Sequence, residues 1–417
     1  MRLYLVASKP TDSVIFGFLP AATRLGLDVI LLTDKPEAHE RARADARLLP
    51  RPGCLPNAGR HHADTAPARV VACDVWDAPG LIRAIAARPA ADAIFSNSDH
   101  LQTQTALAAA YFGLPGKDWR SALRARNKSL MRRRLAQTGT ERVAAAEIRP
   151  ETAHPLRRLP YPVVLKPSEG VASEDVVLVG GPDEMAQRCA EIFARRPGDT
   201  LLAEEYLPGD LRTLETFGDG VSTWVLGGFR TRLSPAPFFI EERLTWEAWV
   251  PGAATRHVLA ALGDLGVSFG ACHTEYVTDA EHGPRLIEVN DRLIGDHCDF
   301  VLSDLLGVDL FELALRISLG ERLPPEPPVS HRHAIVDYVV ADAPGVLAAS
   351  PPAGRQEGTE PGVTVSYWPM RTIGDRIEVT HANRDYLGVI SAIGAQATDV
   401  ELSVAAVRAM GRWEIRP

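Results

Sequence analysis

Residues 269–297 read FGACHTEYVTDAEHGPRLIEVNDRLIGDH. Two alternating apolar and polar runs, at 270–278 and 285–290, flank DAEHG, in which Asp279 and Gly283 are turn formers. The reading is a strand pair. Side chains alternate between faces along a strand, so His273 and Glu275 share one face of the first run. Glu288 and Asn290 share one face of the second, with Arg292 just past its end. Two carboxylates and an amide oxygen on paired strands form a hard oxygen-donor set suited to Mg2+. An arginine beside them can clamp a phosphoryl group or a carboxylate. The competing reading is cross-strand ion pairing, with Arg292 held by Asp291 or Asp296. Three aligned oxygen donors beside Ile287 and Val289, both expected in the core, favour the metal. A zinc site using His273, Cys272 or Cys298 has weak spacing.

Upstream, YPVVLKPSEGVASEDVVLV (161–179) predicts a strand ending in Lys166, a loop of small residues and a second strand. Such a loop can turn successive N–H groups toward a phosphate with the lysine over the same anion. It is not a P-loop, because GxxxxGK[ST] is missing. Lysine is scarce: of 45 Lys and Arg residues only those at 9, 35, 117, 128 and 166 are lysine. A lysine kept at the end of an apolar strand is therefore notable. In LLAEEYLPGDLRTLE (201–215), Glu204 and Glu205 precede a Pro-Gly turn, where an extended crossing segment can read adenine through its backbone and ribose through an acid.

The first hundred residues alternate short apolar runs (3–7, 28–33, 69–73, 91–95) with helical stretches (13–25, 80–87, 101–111). That order predicts a parallel sheet covered on both faces. SKPTDSVIFG follows the first strand in place of GxGxxG, so a Rossmann-like layer without NAD is expected. Next come a glycine- and proline-punctuated link at 113–119, one basic helix at 121–137, a proline-interrupted connection, a strand at 175–179, a helix at 183–194 and a strand at 200–204. Strands dominate 211–278, and a helical region fills 299–319. ERLPPEPPVSHRH reads as a boundary, and strands at 334–341, 362–369, 375–381 and 386–394 suggest a small final domain.

The chain has 417 residues, 46% hydrophobic and 24% charged, with a net charge of -8 and 5 cysteines. That is too long for one core and predicts two to four domains. No run approaches about 20 consecutive apolar residues, which excludes a transmembrane helix. MRLYLVASKP reads as a first strand rather than a signal peptide. Cys54, Cys73, Cys189, Cys272 and Cys298 form no CxxC pair, so a reducing, cytoplasmic setting is expected. The acidic balance argues against nonspecific nucleic-acid binding.

Together these motifs resemble the ATP-grasp superfamily, in particular its carboxylate–amine ligases, which include L-amino acid (dipeptide) ligases, carnosine synthase-like enzymes and siderophore-pathway ligases. The resemblance implies an α/β ATP-grasp fold with a Rossmann-like preATP-grasp domain at 1–120. It implies an ATP-grasp domain at 121–325, with a lid at about 140–205 and a catalytic antiparallel sheet at about 206–325, then a small α+β domain at 326–417. It implies ATP and Mg2+ or Mn2+ as cofactors. Lys128, Lys166 and the loop residues Ser168, Gly170 and Ser173 would contact phosphates. Glu204, Glu205, Tyr206, Leu207 and Asp210 would line the adenosine, with Glu215 facing the nucleotide region. Glu275, Glu288 and Asn290 would hold the metal, and Arg292, Lys166 and Glu288 would be catalytic. The expected reaction joins a small-molecule carboxylate to an amine through an acyl phosphate, with no nucleic-acid or membrane partner and a homodimer through the first domain. The alternative is a non-catalytic ATP-binding protein of the same fold. SEGVAS (168–173) departs from relatives in its single glycine and its acidic Glu169. Arg230 and Arg232 are candidates for a substrate carboxylate, or for solvated surface.

Overall fold

The computed structural model describes residues 1–46, 68–152, 158–279 and 281–417. Cys54, Ala280 and part of the 149–162 connection lie outside them. The chain opens with a four-stranded sheet in the order Arg69–Ala72, Asp28–Thr33, Arg2–Val6, Ala93–Phe95, all parallel. Its apolar strands are covered by Leu19–Arg24, Pro36–Asp45, Ala78–Ala86 and Gln102–Tyr111. The stretch before Leu19 is wound as a π-helix, Ser13–Phe18. Gly17 lies in it because the Phe311 ring comes within 2.4 Å of where a Cβ would stand. One apolar core runs from Leu5 and Phe18 through Phe311 to Phe229, Trp246 and Val336.

The basic segment expected as one helix is two, Trp119–Arg126 and Lys128–Thr138. Asn127 between them is extended, and its side chain accepts the Leu130 N–H at 3.0 Å. An Asn N-cap is worth about 1 kcal/mol, so the break costs little. It places Lys128 at the first position of the second helix, its N–H bonded to Ser168 O at 3.0 Å.

A second four-stranded sheet has the order Ala145–Ile148, Leu201–Glu205, Val163–Pro167, Val177–Val179. Helix Pro182–Arg195 closes it with Met185, Cys189 and Ile192 against Val163, Leu165 and Leu201. The third sheet has nine antiparallel strands: Gly283–Asn290, Phe269–Asp279, Asp210–Asp219, Thr223–Leu233, Glu241–Glu247, His333–Val340, Tyr386–Gly394, Thr364–Pro369 and Gly354–Glu357. The last four come from the tail. They extend the sheet through Thr245 opposite Ile335, so the tail is hydrogen-bonded into the same sheet as the 269–290 strand pair.

Several expected elements differ. Helix Ala253–Leu265 interrupts the run of strands; it buries Val258, Ala261, Leu262 and Leu265 behind the 269–290 pair. Region 299–319 is two helices, Cys298–Leu306 and Leu310–Ser318, parted at Gly307 with a left-handed φ of 69°. Of 375–381 only Arg376–Ile377 is a strand, in a small sheet with Gly345–Ala349 and Glu414–Arg416. Helix Ala397–Met410 packs on the tail. No helix of the described residues is long and apolar enough to cross a membrane.

Candidate functional site

The strand pair has the register its alternation demands. His273 lies opposite Asn290 and Glu275 opposite Glu288, and a bulge then leaves Ile287 unmatched between the pairs 275/288 and 276/286. Opposed residues share a face, so His273, Glu275, Glu288 and Asn290 line one side of the sheet. Cys272, Tyr276, Leu286 and Val289 line the other, in the core. Ile287 is only partly buried. Asn290 is buried, while the Glu275 and Glu288 side chains are 17% and 19% exposed.

Two lysines converge on this face. Lys128 Nζ lies 2.8 Å from Glu288 Oε1 and 3.0 Å from Gly170 O. It stands at a helix N-terminus, so the positive end of the backbone dipole adds to its charge. Lys166, next to last in its strand, is enclosed and paired with Glu204, and burial lowers its ammonium pKa despite that partner. The fields of both lysines reach Glu275.

Glu204 points inward. Its carboxylate takes Lys166 on one oxygen and Arg132 Nε at 2.8 Å on the other. Arg132 also binds Glu141 at 2.7 Å and Leu286 O at 2.7 Å. Burial alone would raise the Glu204 pKa, but Arg132 and Lys166 outweigh it and hold the group at about 2. This enclosed network joins the second sheet, helix Lys128–Thr138 and the Glu288 strand. Glu205 instead pairs with Arg285 at 3.2 Å, and Asp210 is exposed at the start of its strand. The Tyr206 N–H is committed to Pro162 O at 3.1 Å. Leu207 is buried with Leu211 and Val277.

The glycine-poor loop folds without glycine's freedom. Ala172, Ser173 and Asp175 hold left-handed φ values of 57°, 55° and 56°. Strained backbone of this kind concentrates at functional sites. Ser168 is buried against Ser129 Oγ at 3.1 Å. Glu169 is turned to the Asn127 amide at 2.9 Å, while Arg126 bonds the Glu169 carbonyl.

Arg292 is fixed by Asp99, 2.7 Å from its Nε. Asp99 follows the strand Ala93–Phe95, at the carboxyl end of the parallel sheet where such folds place ligand contacts. Asn97 accepts the Leu293 N–H at 3.1 Å, and Lys117 pairs with Asp291 at 2.9 Å. A cleft lined by Asp99, Arg126, Glu288 and Asn290 lies where the first sheet meets the strand pair. His273 sits between two acids, 2.8 Å from Glu215 and 3.5 Å from Glu275. Burial would lower its pKa, but Glu215 and Glu275 outweigh that and raise it to about 10. On the neighbouring part of the sheet Glu241 is half-buried; desolvation and the Glu275 carboxylate push its carboxyl up to about 8.

Asp99, Arg126, Arg132, Glu141 and Glu241 escaped the sequence reading. Asp99 had a signal, an acid four residues past the end of a short apolar strand; Glu241, in FFIEE, had none. Arg230 and Arg232 are exposed and pair with Glu247 and Glu242. Cys272 bonds Thr274 in the core, and Cys298 bonds Tyr338. Among the described residues, no three His, Cys, Asp or Glu side chains form a preformed metal cluster. Two carboxylates and a buried amide on one face, each acid with a cation beside it, nevertheless fit a hard divalent ion better than a soft one.

No family model matches the chain. Over 250 residues it is 29% identical to an uncharacterised protein, y4rH, of Sinorhizobium fredii, the match taking in 57% of this chain and 50% of that protein. Over 186 residues it is 27% identical to carnosine synthase 1 of Gallus gallus, the match taking in 40% of this chain and 19% of that one. The matched part thus spans half the length of the first relative and about a fifth of the second. The crystal structure of L-amino acid ligase from Bacillus licheniformis aligns with a TM-score of 0.78 at 20% identity, covering 100% of this chain and 99% of that one. A parallel first sheet, a small antiparallel sheet carrying Lys166, a large antiparallel sheet carrying Glu275 and Glu288, and this whole-length likeness make the fold of the chain the ATP-grasp fold.

Proposed function

We propose that the protein is an ATP-dependent ligase that joins a small-molecule carboxylate to an amine through an acyl phosphate, releasing ADP and phosphate. The observation that carries this reading is the cross-strand pair Glu275 and Glu288, with Asn290 on the same face and Lys128 Nζ 2.8 Å from Glu288. The likeness to an L-amino acid ligase and to carnosine synthase 1 supports amide formation as the outcome.

Glu275, Glu288 and Asn290 would hold Mg2+, or Mn2+ in its place, which when bound supplies positive charge to the phosphates. Lys128 and Lys166 take the remaining phosphate oxygens, and positioning does most of the work. The carboxylate oxygen of the substrate attacks the γ-phosphorus, and the bond from that phosphorus to the β-bridging oxygen breaks. The amine nitrogen then attacks the acyl carbon, phosphate leaves, and one proton leaves the nitrogen. Arg292, held by Asp99, is placed to bind the carboxylate first and the oxyanion afterwards. No enzyme nucleophile is required. The loop 168–176 excludes water from the acyl phosphate. Glu205, Leu207 and Asp210 border the adenosine side, with the Tyr206 and Leu207 backbone reading adenine, the Tyr206 N–H excepted because it bonds Pro162 O. A cytoplasmic setting belongs to the same proposal, supported by the free Cys73, Cys189, Cys272 and Cys298. A homodimer through the first domain does as well, on the resemblance alone.

The test is ADP release with ATP and Mg2+ against a panel of carboxylates and amines, products read by mass. The reading expects release that needs both partners and a product equal to their sum less water. ATP turnover indifferent to the amine, or no turnover across a broad panel, would overturn it.

A further inference from the structure

The turn at 381–385 comes from the tail, yet it touches both sides of the candidate site. The Asn383 N–H donates to Ala172 O at 3.0 Å, inside the strained loop. Its side-chain oxygen accepts the Glu241 N–H at 3.2 Å, and its amide nitrogen donates to Glu241 Oε2 at 3.2 Å. Arg384 pairs with Glu174 on the same loop. The neighbouring His381 has a left-handed φ of 55° and stacks on Phe238 with ring centroids 4.1 Å apart. Next to Phe238, Pro237 O accepts the Leu178 N–H at 2.9 Å, from the strand that follows the loop.

Among the described residues, the positive-φ non-glycine positions are Ala172, Ser173, Asp175, Asp296, His297 and His381. The first three belong to the loop, the next two follow Arg292, and the last belongs to this turn. Left-handed backbone in a non-glycine residue persists only where surrounding contacts over-determine it. The hydrogen bonds and ion pair just named are such contacts for Ala172 and for the turn, while Arg195 and Arg196 hold Asp175 and Glu174 from the other side.

Resting on the ligase reading, we propose that Asn383 and Arg384 are positioning residues that hold the loop 168–176 and the Glu241 carboxyl in one arrangement, so that amide formation requires the loop to be seated. Asn383 fixes the Glu241 side and Arg384 the loop side. With the link cut, phosphoryl transfer still occurs, because Lys128, Lys166 and the acidic pair are untouched. The loop then protects the acyl phosphate poorly, because the turn that seats it is no longer fixed to Glu241. Water attacks the acyl carbon in place of the amine, returning the carboxylate and inorganic phosphate, and ATP is consumed without amide.

The test compares Asn383→Ala, Arg384→Ala and the double variant, reading moles of amide per mole of ADP with the substrate pair found active. Arg384 is a surface residue, so its variant folds. Each single variant is expected to lower the ratio about threefold, and the double no further than the worse single, because both act through one element. Arg384→Lys, which keeps a cation opposite Glu174, is expected to restore the ratio. Unchanged ratios in both singles, or losses that multiply in the double, would overturn the proposal. Hydrogen exchange without substrates judges the link separately from the chemistry. Amides in 168–176 are expected to exchange about tenfold faster in both variants, with the strand Leu201–Glu205 unchanged. If the wild type forms no amide with any pair, the ligase reading fails, and unchanged loop exchange would by itself overturn the link.

Discussion

Glu204→Gln keeps the shape of the side chain and removes its charge from the enclosed network. The native carboxylate is held at about 2 against an ordinary 4.5, with the side chain 3% exposed. Holding the carboxyl that far below its ordinary value, at about 1.36 kcal/mol per pH unit, makes the ionised form worth roughly 3 kcal/mol. Breaking a buried pair by removing one partner costs about 3–5 kcal/mol, which agrees. If the whole chain melts together, about 3 kcal/mol lowers the midpoint by roughly 3–4 °C, and by more if one lobe melts alone. The pKa is depressed on folding, so the contribution is full above pH 4.5 and is lost as pH falls toward 2. The melting difference between wild type and variant should therefore be flat from pH 7 to pH 5 and narrow below that. Lys166 should also lose charge, since burial already lowers its pKa and Glu204 opposes that. Nucleotide affinity of the variant should then weaken as pH rises from 7 to 9, measured by calorimetry. A midpoint within about 1 °C of wild type at pH 7, or a difference that widens on acidification, would refute the reasoning.

Glu288→Gln removes an oxygen charge from the proposed metal face and the partner of Lys128; ADP release at saturating substrates should fall at least about 100-fold, with a higher Mg2+ requirement. Asn127→Ala deletes the cap of helix Lys128–Thr138 and the tether to Glu169; about 1 kcal/mol of stability and several-fold of ATP affinity should be lost, read by thermal melting and calorimetry. Gly17→Ala forces a methyl into the Phe311 ring, 2.4 Å from the ideal Cβ. It should cost about 1–3 kcal/mol and leave the kinetics of the residual folded enzyme unchanged.

Local periodicity made the strand pair readable, because alternation assigns faces and a short turn fixes register; His273, Glu275, Glu288 and Asn290 follow from it. Lys166 was marked by an apolar strand ending in a rare lysine. Lys128 was seen, but not the break that aims it, since Asn127 caps a helix only when its neighbour's N–H finds Ser168 O. Glu204, ahead of a Pro-Gly turn, read as an acid lining the adenosine. Its inward turn depends on Arg132, Glu141 and Leu286, residues distant in sequence. Helix Ala253–Leu265 had a visible apolar stripe that neighbouring strands obscured. The proline-rich stretch at 321–333 reads as a boundary, and nothing local tells that the strand beginning at its end will pair with Glu241–Glu247. Glu241 itself, and the Asn383 turn that grips it, emerge only from that pairing.

That pairing also sets an order of events during synthesis. The edge of strand Glu241–Glu247 has its final neighbour only in His333–Val340, which leaves the ribosome roughly 90 residues later, a delay of about 4–18 s at ordinary elongation rates. Until then an unpaired strand with Leu244 and Trp246 is open to any other nascent edge. Glu241, Glu242 and Arg243 at its start, and Glu247 at its end, place charge along that edge while it waits, the device by which strands discourage pairing with strangers. Swapping these charges for neutral residues would be felt as aggregation of newly made chains before any loss in the finished protein.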